Sequence, residues 1–407
     1  MTTAMNRSGA MASKLPASRG RVLFLAQLPP PVHGVTTISA HVLKTLERAG
    51  AYEVEHLWTG SARAIEDVGR KSLGKILGFA GLIGRLAWRA ITGQRYDVTY
   101  QTLAPHGDAA LRDALIIAAG KLLARRRLVH LHTRGLDELL SAPTWRGRFL
   151  RWVLRSTELV AVSSEVADTA RAWGGFSAVH DLPNFVAGPE TVTPTPGARL
   201  RCGYLGNYDP RKGILRFVEI FAALKHAGID VEGFAAGGPT RHLNEADVRD
   251  YANRLGVGDE LEVLGFADAA EKHRRLGATD VFIYPTEHDL APLVVIEAMA
   301  HGAVPVVFDT GALRELVGPE FASHVIVPNR DRAAYCADVV AIVETLCADP
   351  ERLMAARKAA RDRYDARFTP ARFEDTLLNV FAGATVEPRE PVVDKRQRTA
   401  PARAASA

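Results

Sequence analysis

A chain of 407 residues exceeds what one hydrophobic core organises and points to two domains of ordinary size. Hydrophobic residues make up 47% of it and charged residues 24%, which excludes a disordered chain and a membrane bundle; three cysteines without CxxC spacing exclude a disulfide framework and a zinc site and fit a reducing compartment. The formal net charge of +5 conceals an uneven division, basic up to about residue 185 and acidic from there to about residue 384, and a basic half points to an anionic partner such as a phospholipid surface or a phosphorylated acceptor.

Residues 1–20 are rich in Ser, Ala, Met and Arg and are predicted to be disordered; no export signal is visible, so the chain reads as cytoplasmic. Short apolar runs then alternate with helical patterns, the signature of βαβ units and parallel sheets. In the first half the strand candidates are Arg21–Ala26, Asp97–Tyr100, Arg127–Leu131 and Glu158–Val162, with helices over Val35–Arg48 and Ala109–Ala124. The first strand runs into Gln27-Leu-Pro-Pro-Pro-Val-His-Gly-Val-Thr36, where Gly34 opens a helix and lets a ligand approach backbone amides. His33 and Thr36 beside it are candidates for the acceptor side. No GxGxxG follows, which argues against a nicotinamide dinucleotide site.

Residues 71–89, KSLGKILGFAGLIGRLAWR, hold no acid, and at about 100° per residue Lys71, Lys75, Arg85 and Arg89 fall within an arc of about 80°. Two readings stand: a helix lying on an anionic bilayer with Trp88 near the headgroups, or a packed helix with its basic stripe in water. Further on, residues 186–198 carry three prolines and two glycines without periodicity, the composition of an interdomain linker and a candidate hinge. This predicts an N-terminal domain over 21–185 and a C-terminal one over 199–384, the last helix returning to the first domain, and a disordered basic tail over 385–407.

The second half restarts the pattern with strands at Leu200–Leu205, Val231–Ala236, Leu261–Leu264, Val281–Tyr284 and Val304–Phe308. In open α/β sheets ligands sit beyond the carboxyl ends of the strands. After the first of these strands comes Gly206-Asn-Tyr-Asp-Pro-Arg-Lys-Gly213, where Arg211 and Lys212 can place positive charge beside a diphosphate. After the fourth, Pro285-Thr-Glu-His-Asp-Leu-Ala-Pro292 leads into a helix, and Leu290 to Val294 bring backbone amides to its start, where a phosphate is favoured. Glu297 stands within an otherwise apolar turn of that helix; ribose hydroxyls donating to it would satisfy it, as would a neighbouring Lys or Arg.

These residues resemble the retaining glycosyltransferases of family 4, from the first strand to about Phe381. Pro29–Gly34 is similar to the family's N-terminal glycine loop, and Gly206–Gly213 to its Gly-Arg-(x)4-Lys-Gly loop, so Lys212 takes the place of the family lysine at the donor diphosphate. The arginine position is Asn207 here, with Arg211 nearby. The family shows two glutamates separated by seven residues, the first at the donor sugar and the second at ribose; these fall on Asp289 and Glu297, and Glu287 is out of register. Pro183-Asn184 resembles the segment leading out of the N-terminal domain, and His130-Leu-His132 the stretch with a cleft histidine. His132 is favoured on the reading that His130 points to the opposite strand face.

The resemblance implies the GT-B fold: α/β, two Rossmann-like, doubly wound domains facing a central cleft. It implies transfer of a sugar, with retention of configuration, from a nucleotide-sugar donor to a glycan or lipid-linked acceptor in bacterial polysaccharide or glycolipid biosynthesis. Lys212, Asp289 and His132 are then the catalytic candidates, and Gly34, Gly206, Asn207, Arg211, Lys212, Pro292, Leu293 and Glu297 the donor-binding ones. It further implies no cofactor and no essential metal, in keeping with the absence of Asp-x-Asp, and nothing points to nucleic acid. A cytoplasmic enzyme, peripheral on the inner face of the membrane, is the expectation. A sugar-nucleotide epimerase of the same architecture, and a non-catalytic nucleotide-sugar-binding protein, stay open as other readings.

Overall fold

The computed structural model describes residues 20–30, 34–60, 73–192, 199–328 and 331–384. His33, Lys71, the two predicted disordered ends up to residue 19 and from residue 385, and the second half of the predicted linker, 193–198, lie outside the described residues. Two compact units make up the chain: one holds it up to Gln101 together with Ala118–Arg127, the other holds Thr102–Ile117 and Leu128 onward.

The strands form two six-stranded sheets. The first contains β1 (Gly20–Ala26), β2 (Tyr52–Trp58), β3 (Tyr96–Leu103), β4 (Ala124–Leu131), β5 (Glu158–Ala161) and β6 (Ala178–Asp181), with α1 (Gly34–Ala49), α2 (Leu73–Ile91), α3 (Gly107–Leu123), α4 (Leu136–Ser141), α5 (Trp145–Leu154) and α6 (Ser164–Trp173) between them. In the first unit β1 pairs in parallel with β2 and β3; in the second, β5 pairs in parallel with β4 and β6. Ser163 starts α6 by accepting from the Val166 amide, and Gly174 ends it in the left-handed conformation.

The second sheet, wholly within the second unit, has the order β12-β11-β10-β7-β8-β9. Its strands are β7 (Leu200–Leu205), β8 (Val231–Ala236), β9 (Leu261–Leu264), β10 (Val281–Tyr284), β11 (Val304–Phe308) and β12 (Val325–Ile326). The helices are α7 (Ile214–His226), α8 (Glu245–Arg254), α9 (Ala269–Ala278), α10 (Leu293–Ala300), α11 (Leu313–Val317), α12 (Arg332–Cys347), α13 (Pro350–Arg367) and α14 (Pro370–Phe381). All residues of β10 and β11 are buried, as expected of parallel strands covered on both faces. Their side chains join Phe217, Phe221, Val295 and Met299 in one core. The reversal of strand order lies where β7 stands between β8 and β10, so the loops after β7 and β10 meet beyond the sheet's carboxyl edge.

Where the predicted linker begins, the chain is tied down. The Val186 amide donates to Phe368 O at 3.2 Å, the Tyr364 hydroxyl of α13 donates to Val186 O at 3.0 Å, and the Gly188 amide donates to that hydroxyl at 2.8 Å. Phe185 packs on Phe373 of α14, ring centroids 4.3 Å apart.

The helix predicted over 71–89 is α2, and it turns Arg89, one of the predicted basic residues, toward the protein. Leu82 and Leu86 are buried and Arg89 pairs with Glu55, whereas Arg85 is exposed. The opposite side shows water an apolar face: Leu73, Ile76, Leu77, Trp88 and Ile91 are each 62–80% exposed. The physical reason is local, since Glu55 on β2 offers Arg89 a partner that also accepts from the Tyr96 hydroxyl.

Candidate active site

The chemistry-bearing residues of the second unit stand on two loops and one helix. After β7 the chain passes Gly206, Asn207, Tyr208 and Asp209, makes a single 3₁₀ turn over Pro210–Lys212, and enters α7 at Gly213. Gly213 has φ +87°, and a Cβ there would stand 2.2 Å from Pro285 O, so only glycine lets this loop lie against the loop after β10. A Cβ on Gly237, at the end of β8, would come 1.9 Å from Gly206 O, which fixes the backbone at Gly206 in the same way.

The two loops are laced together. The Glu287 amide donates to Arg211 O at 3.0 Å, and the Thr286 hydroxyl lies 3.3 Å from the same oxygen. Arg216 of α7 pairs with Glu287 at 2.7 Å, which occupies the glutamate judged out of register. The Lys212 ammonium pairs with Asp289 Oδ1. Asp289 Oδ2 accepts from the Tyr284 hydroxyl at 2.8 Å and from the Thr286 hydroxyl at 3.0 Å.

Arg211 turns to Asp209, at 2.8 Å, and its hydrogen bonds hold the Asp209 carboxyl down to about 2. Asn207, at the family's arginine position, is exposed and brings no charge. His288 is kept below its ordinary value by burial and by the Arg211 and Lys212 charges, against the pull of Asp289 and Asp209.

At α10, Pro292 is the residue before the first helical one, with φ −70°, and no side chain caps the helix start. Pro292 has no N–H, so it presets the entry angle and leaves the amides of Leu293 and Val294 as donors for a phosphate. The Asn184 amide nitrogen donates to Ala291 O at 2.9 Å and steadies the approach. One turn on, Glu297 Oε1 accepts from Lys272 of α9 at 2.5 Å, while Glu297 Oε2 is buried and has no partner among the described residues. His301, at the end of α10, donates or accepts between Glu297 O and His273 at 2.8 and 2.9 Å and locks this turn.

The sequence missed Tyr284, Thr286 and Lys272. Tyr284 reads as one more apolar residue of a buried strand, and Lys272 lies on a separate helix; no spacing rule joins either to its carboxylate.

His132 lies just past β4 and is half-buried, and His130 is fully buried. Their rings are 3.9 Å apart, which corrects the reading that they face opposite ways: residues two apart on a strand share a face. Burial separates them, since it holds His130 well below its ordinary value, aided by His132. In the first unit Gly34 is exposed at the first position of α1, and Thr36 is wholly buried on the packed side of that helix.

Residues 199–345 match the sequence family described as glycosyl transferases group 1. The phosphatidyl-myo-inositol mannosyltransferase of Mycobacterium tuberculosis is 30% identical over 213 residues, covering 49% of this chain and 54% of that protein. A GDP-mannose-dependent alpha-(1-6)-phosphatidylinositol dimannoside mannosyltransferase of the same species is 29% identical over 199 residues, covering 49% and 47%. The chain thus spans about half the length of the curated relatives it matches. Among solved structures, sucrose-phosphate synthase from Thermosynechococcus elongatus superposes with a TM-score of 0.66 at 17% identity, over 90% of this chain and 99% of that one.

Proposed function

From a second unit whose residues 199–345 form a group 1 glycosyl transferase domain, in a chain of GT-B architecture, we propose a glycosyltransferase that moves a sugar from a nucleotide donor to a lipid-linked or glycan acceptor. The observation that carries the reading is Glu297. One of its oxygens is held by Lys272 and the other is a buried acceptor with no partner, which the vicinal hydroxyls of a ribose would satisfy. The diphosphate then meets the start of α10 and the Lys212 ammonium, which stabilises the charge that grows on the leaving group as the glycosidic bond breaks. Charge neutralisation by Lys212 and by the helix makes a metal dispensable, so turnover is expected to survive chelation by EDTA.

Retention of configuration follows from the resemblance of the Lys212, Asp289 and Glu297 pattern to the retaining family. The relatives' names direct the choice of substrates: GDP-mannose as the first donor and an inositol phospholipid as the first acceptor. Supporting the lipid acceptor, α2 presents an exposed apolar face with Trp88 on it, fit to lie at a bilayer surface, while no described helix is long and apolar enough to cross one. The enzyme then works peripherally, at the cytoplasmic face. The test is transfer of radiolabelled sugar from a panel of UDP-, GDP- and ADP-sugars to lipid extracts, with NMR of the product's anomeric centre. Donor turnover without any acceptor would favour the epimerase reading, and nucleotide binding without turnover the non-catalytic one.

A further inference from the structure

Behind the Lys212–Asp289 pair stand two buried tyrosines. Tyr204 is the penultimate residue of β7, two before Gly206, Tyr284 is the last residue of β10, and these strands are hydrogen-bonded neighbours. The two rings stack with centroids 5.7 Å apart, and the residues are 0% and 2% exposed. A pair of phenylalanines would fill the same space, and a buried hydroxyl costs free energy unless it is hydrogen-bonded. Here each hydroxyl reaches one of the two residues, Asp289 through its carboxylate and Lys212 through its backbone. Tyr204 donates to the backbone oxygen of Lys212 at 3.2 Å, and Tyr284 donates to Asp289 Oδ2 at 2.8 Å. Gly206 makes room for the first contact, since a Cβ there would stand 2.9 Å from the Tyr204 hydroxyl.

We propose that Tyr204 and Tyr284 are positioning residues of the transfer step, Tyr284 fixing the Asp289 carboxylate and Tyr204 the backbone from which the Lys212 side chain extends toward it. The inference rests on the transferase reading above. With Tyr284 and Thr286 both donating to Oδ2, only Oδ1 is left to face Lys212, so the carboxylate cannot swing freely. Its aspartate side chain is one methylene shorter than the family's glutamate, and the tyrosine and threonine hold it back toward the lysine. Burial raises both phenols well above their ordinary values, with the Asp289 charge adding to it, so they remain donors at every working pH.

Double-mutant cycles test this. Tyr284→Phe keeps the stacked ring and is expected to lower kcat about tenfold while donor KM changes by less than about twofold, the mark of a preorganisation lost in the transition state. In an Asp289→Ala background the same change is expected to have no further effect on kcat, because the carboxylate it positions is gone, and Tyr204→Phe none in a Lys212→Ala background, where the backbone oxygen it holds remains but the ammonium carried on that backbone is gone. A purely structural tyrosine would lower Tm and cost the same factor in both backgrounds, which overturns the proposal, as does an unchanged kcat. Should the wild-type chain transfer no sugar, the function proposal falls by itself. The same cycles, read on the affinity for inorganic pyrophosphate by calorimetry, then decide this one: coupling within each pair upholds it and strict additivity overturns it.

Discussion

At the scale of single residues, two side chains carry the heaviest expectations. Glu297→Gln keeps the shape and removes the charge that would receive ribose hydroxyls, so nucleoside diphosphate binding is expected to weaken by about 1–3 kcal/mol with the fold intact. Calorimetry with GDP and UDP measures it, and equal affinities would detach Glu297 from the nucleotide. Lys212→Ala is expected to lower kcat on the order of 10²-fold with a smaller change in donor affinity, because the ammonium matters most as charge develops. Undiminished turnover would make its loop structural. Both residues were legible because a loop glycine and a helical turn set them at fixed spacing. The partners of Asp289 and Glu297 were not, since Tyr284, Thr286 and Lys272 reach them through the fold rather than along a motif. The histidine pair shows a different failure: period-two geometry puts His130 and His132 together, and it is burial, which a sequence does not state, that separates them.

At the scale of elements, α2 pairs one residue of its basic arc, Arg89, with the protein and leaves an apolar face exposed. Its helix was legible from the arc of basic residues, but the direction Arg89 faces was set by Glu55, 34 residues earlier in the chain, and by Leu82 and Leu86 finding the core. Leu77→Asp with Trp88→Asp places charge on the exposed apolar face without touching either buried leucine. Co-sedimentation with vesicles containing phosphatidylinositol is expected to fall severalfold, while thermal stability stays within about 0.5 kcal/mol of wild type. Full retention of binding would remove α2 from the membrane reading. The loop before α7 offers a second case. Gly213→Ala meets both a positive φ and the Pro285 carbonyl, so it is expected to cost more than about 1 kcal/mol and to lower donor affinity with it.

Across the whole molecule, the strands that the sequence analysis did not find are edge strands, although one edge, β9, was found to the residue. Every inner strand of the second sheet was found to the residue, whereas β2, β6 and β12, the strands that escaped, all end a sheet. An edge strand is partly solvated and alternates or shortens, so it lacks the continuous apolar run that marks an inner one. Buried histidines give the fold a pH dependence. Burial holds His301 below its ordinary value, with His273, Arg361 and Lys272 adding to the effect, and burial does the same for His324. The unfolded chain therefore takes up these protons first, and stability present above about pH 6.5 is lost as pH falls below it. Thermal melts between pH 7.5 and 5.5 are expected to show a smaller drop in Tm for His301→Gln than for wild type; parallel curves would acquit His301.

The lacing of the two donor-side loops has a last consequence, for how a doubly charged ligand arrives. Lys212, Arg211, Arg216 and Lys272 each stand against a carboxylate of the protein's own, Asp289, Asp209, Glu287 and Glu297. The site is an internal salt, and a diphosphate bound there would join cations that already carry a counter-charge, with Asp289 staying beside Lys212 rather than a bare cationic patch being filled. Such a site exerts little long-range pull and has little to lose to screening. Raising NaCl from about 0.05 to 0.5 M should therefore change the Kd for a nucleoside diphosphate by less than about threefold; a tenfold loss would mean that the cations act on the ligand as a bare charged patch.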